Sequence, residues 1–552
     1  MKIRFYPLRF YAIASVFCLC VLLLFFRMVD LTVIKGTFLR HQGRSRTIHN
    51  IILPAFRGMI TDRNDEPLAV STPVESVWVN PKDFKADSKQ LYMLAKILNI
   101  PTNQLQTRLR RYKNKSFVYL KRDLEPVSAN KIKSLKIAGL YLQREYKRFY
   151  PEGEVASQLV GFTNVDDHGQ EGLELAYDQW LSGTPGKEIV KEDLMGHLVG
   201  DIQEVKKQEP GKDLALSIDQ RIQYIAYQTL KNTVKQYHAK AGSIVVLNIK
   251  TGEVLAMVNQ PSFNPNNREH ISIDSIRNRA ETDMFEPGST MKAFSVASAL
   301  ASGKYTPDTI VDTSPGWWRV GHHWVRDEIN NGVLNVTQIL QKSSNVGISK
   351  MTLSLPPEHL ISVLNAMGFG YRTDSGFPGE ASGHIVDPQQ WKPFVLATLT
   401  FGYGISVTTL QLAHAYSVLA NHGQSVPVTL LKRDQTPIAT QVFDPKVADE
   451  MLPMLESVLQ FGGTGRRARV KGYRVAGKTG TAKIAGNGGY FADRYISSFV
   501  GVAPVSDPEL VVAVVVFEPE GKAYYGGLVA APAFSKVMGS ALRILDIAPD
   551  NA

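Results

Sequence analysis

The sequence predicts a multidomain α+β chain: a single N-terminal transmembrane helix, a mixed N-terminal domain acting as a pedestal, and a C-terminal domain whose sheet is flanked by helices. Three observations lead there. The chain has 552 residues, and at roughly 150 residues per domain that makes about three to four units. Residues 10–26 carry no formal charge, near the lower length limit for a membrane-spanning helix. The last 340 or so residues, on the order of two domains by length, open and close with strands and a helix, so one sheet built from both ends encloses a helical insertion. The boundaries drawn this way are a tail 1–9, a span 10–29, a stalk 30–56, a pedestal 57–205, a C-terminal domain 206–545 and a tail 546–552.

The uncharged run is closed by Arg9 and Arg27 and preceded by Lys2 and Arg4, as at the start of a signal sequence. No small-x-small cleavage site follows Phe26, so an uncleaved signal-anchor is expected. Arg27, Lys35, Arg40, Arg44 and Arg46 after the span outnumber the positives before it, against an outside body, but long domains translocate largely regardless of charge. Both cysteines, Cys18 and Cys20, lie in the span, and a body without cysteine suits an oxidising compartment. The first 60 residues hold nine basic residues and one acid; the other 492 hold 53 against 50. The net charge of +11 is therefore concentrated at the membrane end, and a nucleic-acid-coating surface is a poor reading of it.

In the pedestal, Asp62-Arg63-Asn64-Asp65 marks a turn, and Ser88–Leu98 and Asn130–Lys136 are helix-like. Thr184-Pro185-Gly186 is a further turn, and Glu209-Pro210-Gly211-Lys212 reads as a linker. Leu214–Ile218 reads as a strand, and Asp219 as the cap of a helix Gln220–Tyr237. Ser243–Leu247 and Glu253–Val258 flank Lys250-Thr251-Gly252 as a hairpin. Ser497–Ala503 and Glu509–Phe517 read as buried strands and Ala533–Leu545 as the closing helix.

The chemistry sits in the insertion. Pro287-Gly288 makes a turn, and Ser289 starts a helix rich in small residues, where free backbone N–H groups favour developing negative charge. Lys292 lies on the same face one turn on. A serine hydroxyl needs an adjacent base, and a lysine amine serves once burial or a neighbouring cation keeps it neutral. Ser-x-x-Lys alone is weak: about two chance matches are expected at this length. The second match, Ser128-Ala129-Asn130-Lys131, lies in a Lys-rich stretch that reads as exposed. Ser343-Ser344-Asn345 follows at the end of the helix-like Thr337–Lys342, and Lys478-Thr479-Gly480-Thr481 lies further on. The order and spacing of the three are far more specific than any one of them.

This ordered set resembles the penicilloyl-serine transferases, and other stretches narrow the resemblance to the class B penicillin-binding proteins. Those stretches are Arg57-Gly58-Met59-Ile60-Thr61-Asp62-Arg63-Asn64, Gly169-Gln170-Glu171-Gly172-Leu173-Glu174, Asn278-Arg279-Ala280 and Tyr403-Gly404-Ile405-Ser406-Val407-Thr408. The likeness is closest to the septal branch, on Phe401–Ser406, Arg27–Leu31, Tyr525-Gly526-Gly527 and Ala530-Ala531-Pro532. Two departures are Asp65, where glycine is usual, and Thr409, where proline is common. The resemblance implies a C-terminal serine β-lactamase-like transpeptidase domain. Ser289 would be the nucleophile, Lys292 its base, Ser343 a proton relay, and Asn345 would fix Lys292 and the substrate amide. Lys478, with Thr479, Gly480 and Thr481, would bind the substrate carboxylate, and the N–H groups of Ser289 and Thr481 would form the oxyanion hole. It implies peptidoglycan stem peptides as substrates and β-lactams as inhibitors. The expected partners are a lipid-linked glycan polymerase of the FtsW kind and other division proteins. Polymerisation must come from such a partner, since Glu192-Asp193-Leu194-Met195-Gly196 fails the glycosyltransferase signature.

No cofactor and no metal are expected. His322-His323 with Trp324, Trp317 and Trp318 invites a metal reading, but adjacent strand residues point to opposite faces and no third ligand is at metal spacing. An aromatic hairpin near the cleft is expected instead.

Overall fold

The computed structural model describes residues 7–191, 203–269, 271–387, 391–486 and 489–551. It divides into two compact units, residues 1–56 with 183–211, and residues 57–182 with 212–552. The Glu192–Gly196 stretch lies outside the described residues.

In the first unit a helix covers Pro7–Val29 without a buried residue, as a lipid-facing segment requires, and Asp30–Ile34 extends it as a π-helical turn. Asp30 is held by Arg27 at 2.7 Å and Lys35 at 3.2 Å, so the first acid after the apolar run is neutralised from both sides. The segment 30–56, read as a stalk, is structured. Gly36–Thr47 is a helix, and Ile48–Leu53 is a strand that pairs antiparallel with Gly186–Lys191, which in turn pairs with Gln203–Lys206. The strand's partner is distant in sequence, so no local signal announces it.

In the second unit the long strand Pro67–Val79 organises the pedestal sheet, pairing with Ile60–Thr61, Val118–Leu124 and Leu140–Phe149. The helix Ser88–Leu98 forms as expected, with Asp87 and Gln90 making a reciprocal cap. It packs with Thr102–Arg111 and Pro126–Ser134 around Val77, Leu94, Leu98, Leu105 and Leu120. The strand expected over Leu214–Ile218 is only Leu214–Ala215, and it pairs parallel with Ile60–Thr61 in the pedestal sheet.

Arg57 is fully buried and makes five hydrogen bonds: Nε to Glu174 Oε2 (2.7 Å), Nη1 to Asp178 Oδ1 (2.7 Å), Ser182 Oγ (2.8 Å) and the Asp167 carbonyl (3.1 Å), and Nη2 to the Glu174 carbonyl (3.0 Å). Arg148 Nε takes the other Glu174 oxygen at 2.6 Å. This explains the Arg57 and Gly169–Glu174 stretches: they form one buried ionic knot. The rest of that first stretch joins the pedestal sheet to the C-terminal domain. Asp62 Oδ2 accepts from Gln220 N at 3.1 Å, and the Arg63 N–H donates to the Ile218 carbonyl at 2.9 Å. Asp65 adopts φ 65°, the left-handed turn that glycine favours and aspartate tolerates.

The C-terminal sheet has five strands: β1 Ala241–Asn248, β2 Val254–Gln260, β3 Ala476–Gly486, β4 Gly489–Ala503 and β5 Leu510–Phe517, in the order β2-β1-β5-β4-β3. Both chain ends of the domain do build one sheet, as expected. Lys250-Thr251-Gly252 is the β1–β2 turn, with Gly252 at φ 68°. β4 begins before Ser497 because its first half is the exposed arm of a hairpin with β3. Adjacent residues of β1 show that helices cover both faces. A Cβ on Gly242 would point at Leu230 and Val234 of the helix Gln220–Gln236, whereas Ser243 Oγ bonds Thr409 Oγ1 of the helix Thr409–Ala420 at 2.7 Å. The closing helix starts earlier than expected, spanning Gly526–Ile544 with Pro532 inside it. Its buried face, with Phe534 against Phe499 at 4.6 Å, holds it on the sheet despite the two leading glycines and the proline.

Arg57→Ala is expected to destabilise the body by about 3–5 kcal/mol, because it strands a buried carboxylate. Arg57→Lys should recover only part, since an ammonium cannot reproduce the five N–H contacts. The denaturation midpoints of the three proteins check this.

Candidate active site

Ser289 lies in a 3-10 turn, Gly288–Met291, that runs directly into the helix Lys292–Ala301. That helix is buried from Lys292 through Leu300, and the small residues Ala293, Ser295, Ala297, Ser298 and Ala299 allow neighbours to close on it. Its start is pinned: Tyr416 Oη donates to the Thr290 carbonyl at 2.8 Å, and the Phe294 and Tyr416 rings meet edge to face at 5.3 Å. Ser289 is thereby held in the wall of a cleft of about 850 Å³.

Lys292, 1% exposed, points its Nζ at Ser343, donating to the Ser343 carbonyl and, at 3.0 Å, to Ser343 Oγ. Lys478, 0% exposed, reaches the same Oγ from the other side at 3.1 Å. Ser343 can meet both because it ends the helix Val336–Lys342 in the left-handed region, φ 60°, and Ser344 at once caps the next helix, Asn345–Leu353. A β-substituted residue held there is under strain that the two flanking helices must overcome.

Asn345 lines the cleft and its Nδ2 donates to the Arg326 carbonyl at 2.8 Å, while the Lys292 Nζ donates to Ser343 and not to Asn345. The expectation that Asn345 fixes Lys292 is corrected: Ser343 holds the lysine, because its carbonyl and hydroxyl both face it. Asp327 is one residue that sequence reasoning missed. Its Oδ2 accepts from Ser344 Oγ and its Oδ1 from the N–H groups of Asn345 and Val346, so it anchors the start of the second helix. Its one sequence signal is its place just after the aromatic hairpin. That hairpin forms, Trp317–Val320 against His323–Arg326, and the His323 ring stacks on Phe394 at 4.4 Å. Tyr495, Tyr524 and Tyr525 were also missed; they stack in series along the cleft, with centroids 4.0 and 4.5 Å apart.

β3 is the sheet edge, and it carries Lys478-Thr479-Gly480-Thr481 past Ser289. An edge strand offers unpaired backbone groups to an extended peptide. Gly480 is needed for the approach: a Cβ there would lie 2.8 Å from the Pro287 carbonyl oxygen and 2.2 Å from Ser498 Oγ. Thr479 Oγ1 pairs with Thr464 Oγ1 at 2.8 Å, and Thr481 Oγ1 accepts from Gly526 N at 3.0 Å, which leaves the Thr481 hydroxyl proton free to donate.

Complete burial brings the Lys292 amine down to about 7, with Asp327 and Glu328 opposing the drop. Lys478 is pushed well below the ordinary ammonium value, first by burial and then by Lys292. Two ammonium groups on one hydroxyl oppose each other. The nearby carboxylates favour keeping the charge on Lys292, so the expected charge on Lys478 requires an anion bound beside it. The other Ser-x-x-Lys match, on the helix Pro126–Ser134, has an exposed lysine and no such convergence.

The family profile of the penicillin binding protein transpeptidase domain matches residues 242–539, and that of the penicillin-binding protein dimerisation domain matches residues 52–216. The chain is 44% identical over 543 residues to the probable peptidoglycan D,D-transpeptidase PbpC of Pseudomonas aeruginosa, covering 98% of this chain and 96% of the relative. It is 41% identical over 545 residues to the peptidoglycan D,D-transpeptidase FtsI of Escherichia coli K12, covering 97% and 92%. The crystal structure of penicillin binding protein 3 from Mycobacterium tuberculosis, complexed with aztreonam, is similar with a TM-score of 0.71 and 27% identity, covering 90% of this chain and 98% of that one.

With Ser289 as nucleophile and Lys292 as its base, the acylation rate should rise with pH through about 7 and level off above it. Well below that point the rate should fall about tenfold per pH unit. Lys292→Arg should remove both rate and pH dependence, because a guanidinium keeps its proton. Stopped-flow acylation across pH checks this.

Proposed function

The chain belongs to the class B penicillin-binding proteins, and on that premise we propose that it is a serine peptidoglycan D,D-transpeptidase that cross-links stem peptides of the septal wall during cell division. The observation that carries this reading is the convergence of Lys292 and Lys478 on Ser343 Oγ in the cleft that presents Ser289.

The reaction follows from that geometry. A donor stem peptide pairs with the β3 edge, and its terminal carboxylate lies against Lys478, Thr479 and Thr481. That anion stabilises the charge on Lys478, and repulsion then drives the proton off Lys292. Neutral Lys292 takes the Ser289 proton, and Ser289 Oγ attacks the carbonyl between the two D-Ala residues. The N–H groups of Ser289 and Thr481 take the oxyanion, a contribution of about 3–4 kcal/mol per donor. The C–N bond breaks, Ser343 relays the proton to the departing D-Ala, and an acyl-serine remains. Asn345, in the cleft wall, binds the substrate amide. The amine of a second stem peptide then completes the cross-link; water in its place gives carboxypeptidase side activity. A β-lactam carries the same carboxylate and a reactive carbonyl, and so acylates Ser289.

The N-terminal helix makes the protein a single-pass membrane protein. The catalytic domain works on the periplasmic side, at the septum, where peptidoglycan is. Residues 57–205 serve as the pedestal through which a lipid-linked glycan polymerase of the FtsW kind and other division proteins dock, and residues 206–545 perform the chemistry.

Mass spectrometry after penicillin treatment should place the adduct on the peptide containing Ser289. Ser289→Ala should abolish labelling and Ser128→Ala should keep it; the reverse pattern refutes the nucleophile. Depletion from a rod-shaped host should leave filaments without septa. Rounded cells with normal septation would instead assign the protein to side-wall elongation.

A further inference from the structure

Transpeptidation uses two stem peptides, and the cleft described above accounts for one. A second cavity of about 510 Å³ adjoins it and shares Asp327, Glu328 and Ile329 with its wall. The aromatic hairpin lines this second cavity: Trp317 and Trp324, half-exposed, meet edge to face with centroids 4.9 Å apart. Arg326 lines it too, and its guanidinium makes no ion pair or hydrogen bond among the described residues, while its backbone carbonyl holds Asn345. Glu328 lines both cavities, and Tyr525, whose hydroxyl receives a bond from Tyr524 at 3.3 Å, lines the first with it.

We propose that the cavity between the aromatic hairpin and Glu328 is the acceptor subsite, in which Glu328 receives the incoming ammonium and Arg326 the carboxylate next to it. The argument is charge and continuity. A free cation and a carboxylate line one cavity that shares a wall with the cleft presenting Ser289, with two indole rings for the apolar stem. The ligand class is an amine whose own carbon carries a carboxylate, the end of a diamino diacid; a lysine-type side chain has the ammonium alone. The ammonium gives one proton to Glu328, which passes it to water. The neutral nitrogen attacks the acyl carbonyl, the C–N bond forms, and the C–O bond to Ser289 breaks. The second N–H proton returns to Ser289 Oγ through Lys292.

The inference rests on the transpeptidase reading, so the test separates the two. The full chain in detergent is acylated by a thioester donor. The partition of the acyl-enzyme between water and an acceptor peptide is then measured, with meso-diaminopimelate or lysine as the acceptor residue. The ratio is read per acyl-enzyme, so neither misfolded protein nor slow acylation affects it. Arg326→Gln should lower the transfer-to-hydrolysis ratio about tenfold with the diaminopimelate peptide, through a raised half-saturating acceptor concentration, and less than about twofold with the lysine peptide. Trp324→Ala should lower it with both. An unchanged ratio in both variants, or an equal loss with both peptides in Arg326→Gln, overturns the acceptor assignment. Failure of the unaltered protein to form any acyl-enzyme overturns the transpeptidase reading itself.

Discussion

Two lysine side chains, both withdrawn from water, meet on a single serine hydroxyl, and most of the catalytic domain is arranged to make that meeting tolerable. Burying an ammonium is expensive, and burying two within reach of one oxygen is more so. The penalty is what brings the Lys292 amine down to about 7, so that a neighbouring charge can drive its proton off near neutral pH. It is met by rigidity: one lysine leaves the first turn of a helix buried from Lys292 through Leu300, the other leaves a sheet strand, and the hydroxyl between them sits on a left-handed residue clamped by two helices. None of these supports can relax without separating the charges and losing the chemistry.

The sheet order turns that constraint into a binding site. Because β3 is the outermost strand, the lysine that faces inward is flanked by backbone that faces a substrate. The turn bearing Ser289 must then lie very close to that edge, and close approach is a matter of missing Cβ atoms. Gly480 makes room for the Pro287 carbonyl, and a Cβ on Gly402 would lie 2.2 Å from the Gly288 oxygen. Gly526 answers the same demand behind the strand, where a Cβ would meet the carbonyl oxygens of Gly480 and Ser498 at 2.2 and 2.3 Å.

The pedestal solves a different problem. Its ionic knot of Arg57, Arg148 and Glu174 adds little net stability for its desolvation, but it tolerates one geometry only, which suits a segment whose next residues hold the first helix of the catalytic domain.

The sequence by itself determined the parts governed by local physics: the apolar span, the capped helix Ser88–Leu98, the β1–β2 turn and the order of the three catalytic motifs. Ser289, Lys292, Ser343 and Lys478 were legible because their types and spacing constrain the chemistry, and the structure brings them together. Tertiary structure decided what depends on distant partners. Leu214–Ala215 joins the pedestal sheet, Ile48–Leu53 becomes a strand, and the closing helix runs through Pro532, because each is set by what it packs on or pairs with. Asp327 is drawn into the site by bonds to Ser344 and Asn345 from a distant stretch of chain, and Asn345 bonds the Arg326 carbonyl. The residue types that could serve as nucleophile and base can be read from sequence, whereas the partner of a hydrogen bond is fixed by the fold that brings two distant segments within about 3 Å.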